Sequence, residues 1–331
     1  MYSFCTYFDR YYLPRGLALY RSLKQHCPAF QLWVLCLDEE CHRELKQLQL
    51  PELKLITLEE LEAAEPRLLE AKGNRSRIEY YFTCTPELPW FVLQRQPDIQ
   101  VITYLDSDLF FFADPTPLFD ELNDRSIAII PHRFAPHLRH KERNGIYNIG
   151  WLSFRHDARG LTCLEWWRER CLEWCYDRPE PGRYADQKYL DDWPTRFHGV
   201  AVLTHKGANL APWNLSNYRI DADECGVRVD EQPLIFFHFQ GLKQIRGWLF
   251  DTNMAGYHVR PSRAVMRHIY TPYVQTLRDI AQTLSMPGSI RYKGIRLPLH
   301  RHIVYRIKRF CRACRGLVNR NYLVVIGKRI S

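Results

Sequence analysis

Short β-rich runs alternate with helical patterns along this 331-residue chain, most regularly in its first half. The predicted strands are residues 3–7, 31–37, 53–57, 100–105, 126–131, 146–154 and 234–239. The predicted helices between them are residues 13–26, 39–48, 75–94 and 158–176. Alternation of this kind is typical of a mainly parallel sheet with helices on both faces. The pattern therefore predicts an α/β domain, which we place at residues 1–260.

Most of the net charge of +9 belongs to the end of the chain. No Asp or Glu follows Asp279, whereas residues 280–331 contain 12 Lys and Arg residues. The other 34 of the 46 basic residues stand against 37 acidic residues, so residues 1–279 carry a net charge of −3. A body near neutrality lacks the basic surface of a nucleic-acid-binding domain. We therefore expect no nucleic-acid partner.

Residues 261–331 are predicted to form a helical, basic C-terminal extension, which starts with a helix at about residues 263–284. Over residues 301–318, apolar side chains recur at helical spacing while Arg and Lys occupy the flanks. Such a basic amphipathic helix is typical of elements that lie on an anionic membrane surface. The alternative is a helix that packs its apolar stripe on the domain.

The start of the chain lacks the basic, apolar and small-residue regions of a secretory signal peptide. No run approaches the roughly 18 apolar residues that a transmembrane helix needs. We therefore expect a cytoplasmic protein, in which the basic extension provides for peripheral association with the inner face of the membrane.

Two carboxylates, Asp106 and Asp108, directly follow an apolar predicted strand. Residues i and i+2 of an extended chain lie on the same face, so both carboxylates can address one point. Like charges at the end of a buried strand are costly unless a cation lies between them. Oxygen ligands favour Mg²⁺ or Mn²⁺, which often also bind phosphates. The segment therefore predicts a divalent metal site at the sheet edge where open α/β sheets bind ligands.

The sequence Tyr-Leu-Asp-Ser-Asp-Leu-Phe at residues 104–110 is followed by Asp-Pro-Thr-Pro-Leu-Phe at residues 114–119. Together these segments resemble the Asp-x-Asp region of nucleotide-sugar-dependent glycosyltransferases of the GT-A fold. The closest pattern is that of family 8, which includes glycogenin and bacterial lipopolysaccharide galactosyl- and glucosyltransferases. The resemblance implies a Rossmann-like sheet, and Mn²⁺ or Mg²⁺ held by Asp106 and Asp108 on the diphosphate of a nucleotide-sugar donor. It also places Ser107 against that donor.

Three further motifs resemble donor-binding parts of the same family. A helix is predicted to start near Arg77, and the resemblance implies that this Arg contacts the donor; an ion pair with Glu79 is the alternative. The segment Asn148-Ile-Gly resembles the family's Asn-x-Gly strand, in which the Asn lines the sugar pocket. In the Asp-Gln-x-x-Leu core, Asp186 would contact sugar hydroxyls and Gln187 would lie beside the anomeric carbon. An amide at that position is consistent with the family's retention of anomeric configuration.

The two ends of the predicted domain carry the remaining motifs. The first strand and turn resemble the family's nucleotide-gripping start, where Thr6 and Tyr11 would contact the base; ordinary strand-end packing is the alternative. The late segment resembles the family's His-x-x-Gly-x-x-Lys motif, in which His238 completes the metal site. Gly241 and Lys243 would meet the phosphates, although this Lys follows the Gly by two residues and not by three.

These observations favour a metal-dependent glycosyltransferase that acts on a cell-envelope glycan or a lipid-linked acceptor. A nucleotidyltransferase is a second hypothesis, because it shares the sheet type and a metal at a strand end. It would carry a Gly-rich loop after the first strand, and residues 5–11 contain no Gly. A non-catalytic membrane-surface or sugar-binding protein is a third.

Overall fold

The computed structural model describes residues 1–284, 321–326 and 329–330. The predicted amphipathic helix at residues 301–318 lies outside these described residues. In chain order the strands are β1 (Tyr2–Phe8), β2 (Phe30–Cys36), β3 (Leu53–Thr57), β4 (Val101–Leu105), β5 (Leu109–Phe111), β6 (Ile127–Pro131), β7 (Tyr147–Arg155), β8 (Val200–Val202), β9 (Ile220–Asp223), β10 (Gly226–Val229), β11 (Gln232–Pro233), β12 (Phe236–His238), β13 (Lys243–Arg246), β14 (Leu249–Asp251), β15 (Tyr322–Ile326) and β16 (Arg329–Ile330).

Seven of these strands form the central sheet, in the order β3-β2-β1-β4-β7-β6-β8. The strands from β3 to β4 pair in parallel, as do β6 and β8, whereas β7 runs antiparallel to both of its neighbours. The sheet is therefore mixed and mainly parallel, which confirms the predicted α/β class. Because β1 and β4 are parallel neighbours, the polar residues that follow them meet at one edge of the sheet.

Helices connect and cover the strands. They are α1 (Leu13–His26), α2 (Glu39–Leu48), α3 (Leu58–Ala64), α4 (Arg67–Asn74), α5 (Arg77–Arg95), α6 (Thr116–Leu122), α7 (Ala158–Glu173), α8 (Trp193–Arg196), α9 (Arg263–Val265) and α10 (Thr271–Thr283). Short 3₁₀ segments occupy Pro136–Asn144, Lys188–Asp192, Leu215–Asn217 and Met254–Tyr257, and Met266–Tyr270 is a π-helical turn between α9 and α10.

Side-chain caps fix the starts of two helices near the candidate site. Asp38 accepts a hydrogen bond from the Cys41 N–H at 2.8 Å, so it caps the start of α2. Ser76 and Glu79 form a reciprocal capping box at the start of α5. This box begins α5 at Arg77, two residues later than the sequence pattern suggested.

Apolar side chains on the two faces of the sheet form two large buried clusters. One cluster lies under α1 and α10 and includes Leu17 and Trp151. The other lies under α5 and α7 and includes Leu88 and Trp167. A sheet covered on both faces explains why its strands read as continuous apolar runs in the sequence.

The helical segment from α9 to α10 packs back on the domain. It spans residues 263–283, close to the predicted helix, and α10 lies against α1. Among the residues that the structure describes, no helix combines the length and apolarity needed to cross a membrane.

Strand β15 also returns to the domain, where it pairs antiparallel with β14. The pairing buries Leu323 and Val325, which are 1% and 3% exposed. The sequence pattern does not predict this strand, because residues 261–331 are predicted to form a helical extension. The division between residues 1–260 and 261–331 stays a prediction.

Candidate metal centre and surrounding cavity

Strand pairing brings the three predicted metal ligands together. Asp106 follows β4, and a turn closed by the Leu109 N–H and the Asp106 carbonyl (3.2 Å) leads through Asp108 into β5. Strand β12 pairs antiparallel with β5 and sets His238 opposite Leu109. The Phe239 N–H then donates to the Asp108 carbonyl at 3.0 Å. The register of β5 and β12 therefore holds the imidazole beside the two carboxylates.

The ligand atoms of Asp106, Asp108 and His238 all lie within 4.8 Å of one another. The His238 Nε2 atom is 3.1 Å from Asp108 Oδ1 and 3.6 Å from Asp106 Oδ2. The imidazole is almost fully buried, with 3% of its side chain exposed, while the two carboxylates reach the cavity with 28% and 13%. Two carboxylate oxygens and one imidazole nitrogen converging on one point fit a divalent cation.

The electrostatics of this cluster favour a positive charge at its centre. Burial raises the pKa of Asp106 above its ordinary value, against the opposing charge of His238. Burial would also raise the pKa of Asp108, but the charge and hydrogen bond of His238 lower it. Conversely, burial would lower the pKa of His238, and the Asp108 carboxylate raises it. The two carboxylates therefore favour a cation at the point where Nε2 of His238 faces them.

Gly150 on β7 allows the backbone to come close to this cluster. A Cβ atom at Gly150 would lie 2.6 Å from Asn148 Oδ1 and 3.0 Å from His238 Nδ1. The contact with Asn148 is shorter than Cβ atoms make in real structures, and the contact with His238 is tighter than most. A side chain at this position would therefore displace either Asn148 or the imidazole of His238.

The cluster opens into a cavity of about 580 Å³, which is in the size range of small-molecule sites. Eight of the residues predicted from the sequence line this cavity. They are Arg77, Asp106, Ser107, Asp108, Asn148, Asp186, Gln187 and His238.

Asp186 and Gln187 line the cavity from a constrained backbone segment. The preceding Ala185 has a φ of +46°, a conformation that costs energy for a residue with a side chain. The indole N–H of Trp167 donates to the Asp186 carbonyl at 2.8 Å, and the Gln187 side-chain amide donates to the Asn144 carbonyl at 3.0 Å. Burial raises the pKa of Asp186 to about 7, and the charge of Asp106 adds to the effect.

Arg77 stands at the first turn of α5, with its side chain exposed at the cavity. Its predicted alternative partner, Glu79, instead accepts hydrogen bonds from the Ser76 N–H and from the Asp177 N–H. The neighbouring Arg75 donates to the carbonyls of Cys171 and Leu172 and so has a structural part. Glu79 is thus engaged by the capping box, while Arg77 lines the cavity.

Four predicted residues lie outside the cavity lining. Thr6 is fully buried in β1, and the Tyr11 hydroxyl accepts a hydrogen bond from Arg10 at 2.7 Å. Gly241 adopts a left-handed φ of +76° against Asn253. Lys243 is exposed on β13, which pairs with β14.

Several residues that line the cavity are not predicted from the sequence. Asp9 and Tyr12 line the cavity beside the end of β1, where Tyr11 had been expected. Lys141 lines it from the 3₁₀ segment, with its ammonium 5.5 Å from the Tyr257 ring centre. Trp213 packs edge-on against the His238 ring, with the ring centres 5.1 Å apart. These positions have no helical or strand period that would reveal them.

Two Bacillus subtilis (strain 168) proteins are similar to most of the chain. YfnD is 32% identical over 280 residues, which cover 84% of the chain and 89% of YfnD. YfnF is 34% identical over 288 residues, which cover 85% of the chain and 93% of YfnF. Both relatives are described as uncharacterized proteins. No protein-family model matches the chain.

Among solved structures, the galactosyltransferase LgtC, in complex with donor and acceptor sugar analogues, has a similar fold. The likeness covers 84% of the chain and 95% of LgtC, with a TM-score of 0.52 and 16% sequence identity. The central sheet and its helices therefore form a GT-A fold. At this identity the likeness concerns the architecture alone.

Proposed function

The chain belongs to the family of the Bacillus subtilis proteins YfnD and YfnF, and we propose that it is a glycosyltransferase that uses a nucleotide-diphospho-sugar donor. One observation carries this proposal: Asp106, Asp108 and His238 converge at the floor of a cavity in a GT-A fold. A divalent cation bound there would face a ligand in the cavity. Such cations bind oxygen ligands, so a diphosphate group would suit this position. The family 8 pattern of the Asp-x-Asp region supports the same assignment.

On the donor side, Asp106, Asp108 and His238 would hold Mn²⁺ or Mg²⁺, which supplies charge neutralisation for the leaving diphosphate. Arg77 and Lys141 are the two Lys or Arg side chains that line the cavity within the described part of the chain. We assign them to the phosphates, because cations near the leaving group stabilise its developing charge. Arg77 also lies at a helix N-terminus, where the backbone N–H groups favour anions.

On the sugar side, Asp186 would accept hydrogen bonds from donor hydroxyls, and Gln187 would lie against the reacting carbon. The Gln187 amide is held by the Asn144 carbonyl at 3.0 Å, so its oxygen is the end left for the ligand. A neutral amide is a much weaker nucleophile than a carboxylate. We therefore propose a retaining transfer without a carboxylate nucleophile at this position, as the resemblance to family 8 implies.

On the acceptor side, the wall of the cavity is aromatic. His132 and Phe134 stack with ring centres 4.5 Å apart, and Trp213 lies 6.1 Å from Tyr257. Flat aromatic faces suit the apolar faces of sugar rings. We propose a cell-envelope glycan or a lipid-linked sugar as acceptor, and the 12 basic residues of 280–331 support an acceptor held at an anionic membrane. The cytoplasmic, peripheral location is part of this proposal.

A donor screen tests the proposed function. The protein is incubated with a panel of sugar nucleotides and Mn²⁺, with and without a glycan extract, and released nucleoside diphosphate is measured. We expect release with one donor class and no release in EDTA. Lack of turnover with every donor would refute the transferase assignment. A product whose NMR spectrum shows the anomeric configuration opposite to that of the donor would refute retention.

The proposed contact between Lys141 and the donor phosphates gives a sharper prediction. Lys141→Gln should raise the KM for the donor about 10- to 100-fold, which corresponds to the loss of one charge-assisted hydrogen bond. Lys243→Gln is the matched control, because it makes the same chemical change on the exposed β13 strand. We expect its KM to stay within about twofold of the native value. The opposite ranking of the two variants would return the phosphate role to Lys243.

A further inference from the structure

The proton on His238 has to lie on a particular ring nitrogen if this residue is to bind a metal. An imidazole binds a metal through the nitrogen that carries a lone pair, while the other nitrogen carries the proton. In this chain Nε2 faces Asp106 and Asp108, and Nδ1 lies 3.2 Å from Asn148 Oδ1. The required tautomer therefore depends on which end of the Asn148 amide faces the ring.

A backbone group fixes the orientation of the Asn148 amide. The Gly150 N–H lies 3.1 Å from Asn148 Oδ1, and a backbone N–H can only donate. The atom that faces it must therefore be the amide oxygen. Since the same oxygen faces Nδ1 of His238, that nitrogen carries the proton and donates it. The lone pair of neutral His238 then lies on Nε2, directed at the two carboxylates.

A second histidine secures the other end of the amide. Asn148 Nδ2 lies 3.3 Å from His132 Nε2, and His132 Nδ1 lies 3.1 Å from the Ile146 carbonyl oxygen. A carbonyl only accepts, so the proton of His132 is on Nδ1, and its Nε2 accepts a hydrogen bond from the Asn148 amide. Burial lowers the pKa of His132 to about 3, which keeps this ring neutral and its Nε2 available as an acceptor.

The position of His132 is itself fixed by several contacts. Its backbone carbonyl accepts hydrogen bonds from the Trp213 indole and from the Asn214 side chain, both at 2.9 Å. Its ring stacks on Phe134 with an interplanar angle of 9°. His132 is 6% exposed, so competition from water for its hydrogen bonds is limited.

We propose that His132 is a positioning residue, which acts through Asn148 to hold His238 in the tautomer and orientation that present Nε2 to a divalent metal. The inference rests on the proposed function in one respect, namely that a metal binds at Asp106, Asp108 and His238. It adds a role for a residue that contacts neither the metal nor the proposed substrates' reacting atoms. It also assigns Asn148 a part in orienting the metal ligand His238. One hydrogen of the Asn148 amide is then left to bond a sugar hydroxyl.

Metal affinity tests this proposal without reference to turnover. His132→Phe removes the acceptor but keeps an aromatic ring against Phe134, and we expect it to weaken Mn²⁺ binding about 10- to 100-fold. His132→Gln offers a carbonyl oxygen to the Asn148 amide and should recover much of the lost affinity. His156→Phe is the matched control: its Nδ1 also bonds a carbonyl, that of Ile99 at 3.1 Å, and it does not line the cavity. Affinity is measured by calorimetry and by electron paramagnetic resonance of free Mn²⁺.

Nitrogen NMR of the native protein supplies a second readout, which does not require a variant to fold. We expect His132 to carry its proton on Nδ1 with Nε2 unprotonated, and Mg²⁺-loaded His238 to carry its proton on Nδ1. Native Mn²⁺ affinity in His132→Phe, or a proton on Nε2 of His132, would overturn the proposal. If the native protein binds no Mn²⁺, the proposed function fails and the positioning role for metal binding falls with it. Normal metal binding with the wrong tautomer refutes the positioning role alone.

Discussion

Asp108→Asn should abolish Mn²⁺ binding at micromolar concentrations and lower nucleoside diphosphate release about 10³-fold or more. The substitution keeps the size of the side chain and removes its charge. His238 lowers the pKa of Asp108, so this group is a carboxylate at neutral pH and the lost charge is a full one. The variant also leaves His238 without its nearest carboxylate, which lies 3.1 Å from Nε2.

Asp98→Asn is the matched control for this prediction. Asp98 is exposed just before β4, at the other end of the strand that leads to Asp106. Its loss should change neither metal affinity nor nucleoside diphosphate release by more than about twofold. Thermal melts of both variants establish that they are folded. Full activity of Asp108→Asn, or of the native protein in EDTA, would contradict a metal role for this cluster.

Leu323→Ala should lower the free energy of unfolding by about 2–5 kcal/mol. Leu323 is 1% exposed in β15, where it belongs to the same buried cluster as α1 and α10. Removing its side chain leaves a cavity between β15 and the domain. Urea denaturation followed by tryptophan fluorescence measures the change, because several buried tryptophans report on the core.

Val324→Ala provides the control on the same strand. Val324 is half-buried and points to the opposite face from Leu323. We expect it to cost under about 1 kcal/mol. Equal, small losses in both variants would mean that β15 adds nothing to the stability of the domain.

The same strand changes how the membrane hypothesis should be tested. A truncation after residue 286 would remove Leu323 and Val325 together with the basic segment. Loss of function in such a truncation would therefore mix unfolding with loss of membrane binding. Neutral replacement of the Lys and Arg residues within 301–318, followed by sedimentation with anionic vesicles, separates the two effects.

The sequence predicts well those helices and strands that are determined by neighbouring residues. The bounds of α1 and α2 agree with the predicted 13–26 and 39–48, since apolar periodicity and the Asp38 cap define them. Strand β5 has only three residues, too few for a period to be recognised. Strand β15 pairs with β14 across more than 70 positions of the chain, and no local pattern encodes so distant a partner.

Among the residues of the candidate site, too, those in a short local motif could be predicted and the others could not. Asp106 and Asp108 could be found because two carboxylates after an apolar strand make a short, distinctive pattern. His238 needed the family resemblance, since a lone His on a strand is usually a core residue. Lys141 could not be found, because it belongs to a 3₁₀ segment without a recognisable motif. Lys243 was suggested by the resemblance; it is exposed on β13 and does not line the cavity, and its phosphate role stays a prediction.

Because His238 lies on β12, it joins Asp106 and Asp108 only after most of the domain has been synthesised. His238 follows Asp108 by 130 positions, so a ribosome that adds about 5–20 residues per second produces it several seconds or more later. During that interval the nascent sheet carries two neighbouring carboxylates without their imidazole partner. A divalent cation can be held by all three ligands only once β12 has docked. An ion bound at this candidate site would therefore stabilise the docked form selectively, and it would favour chains whose second half has joined the first.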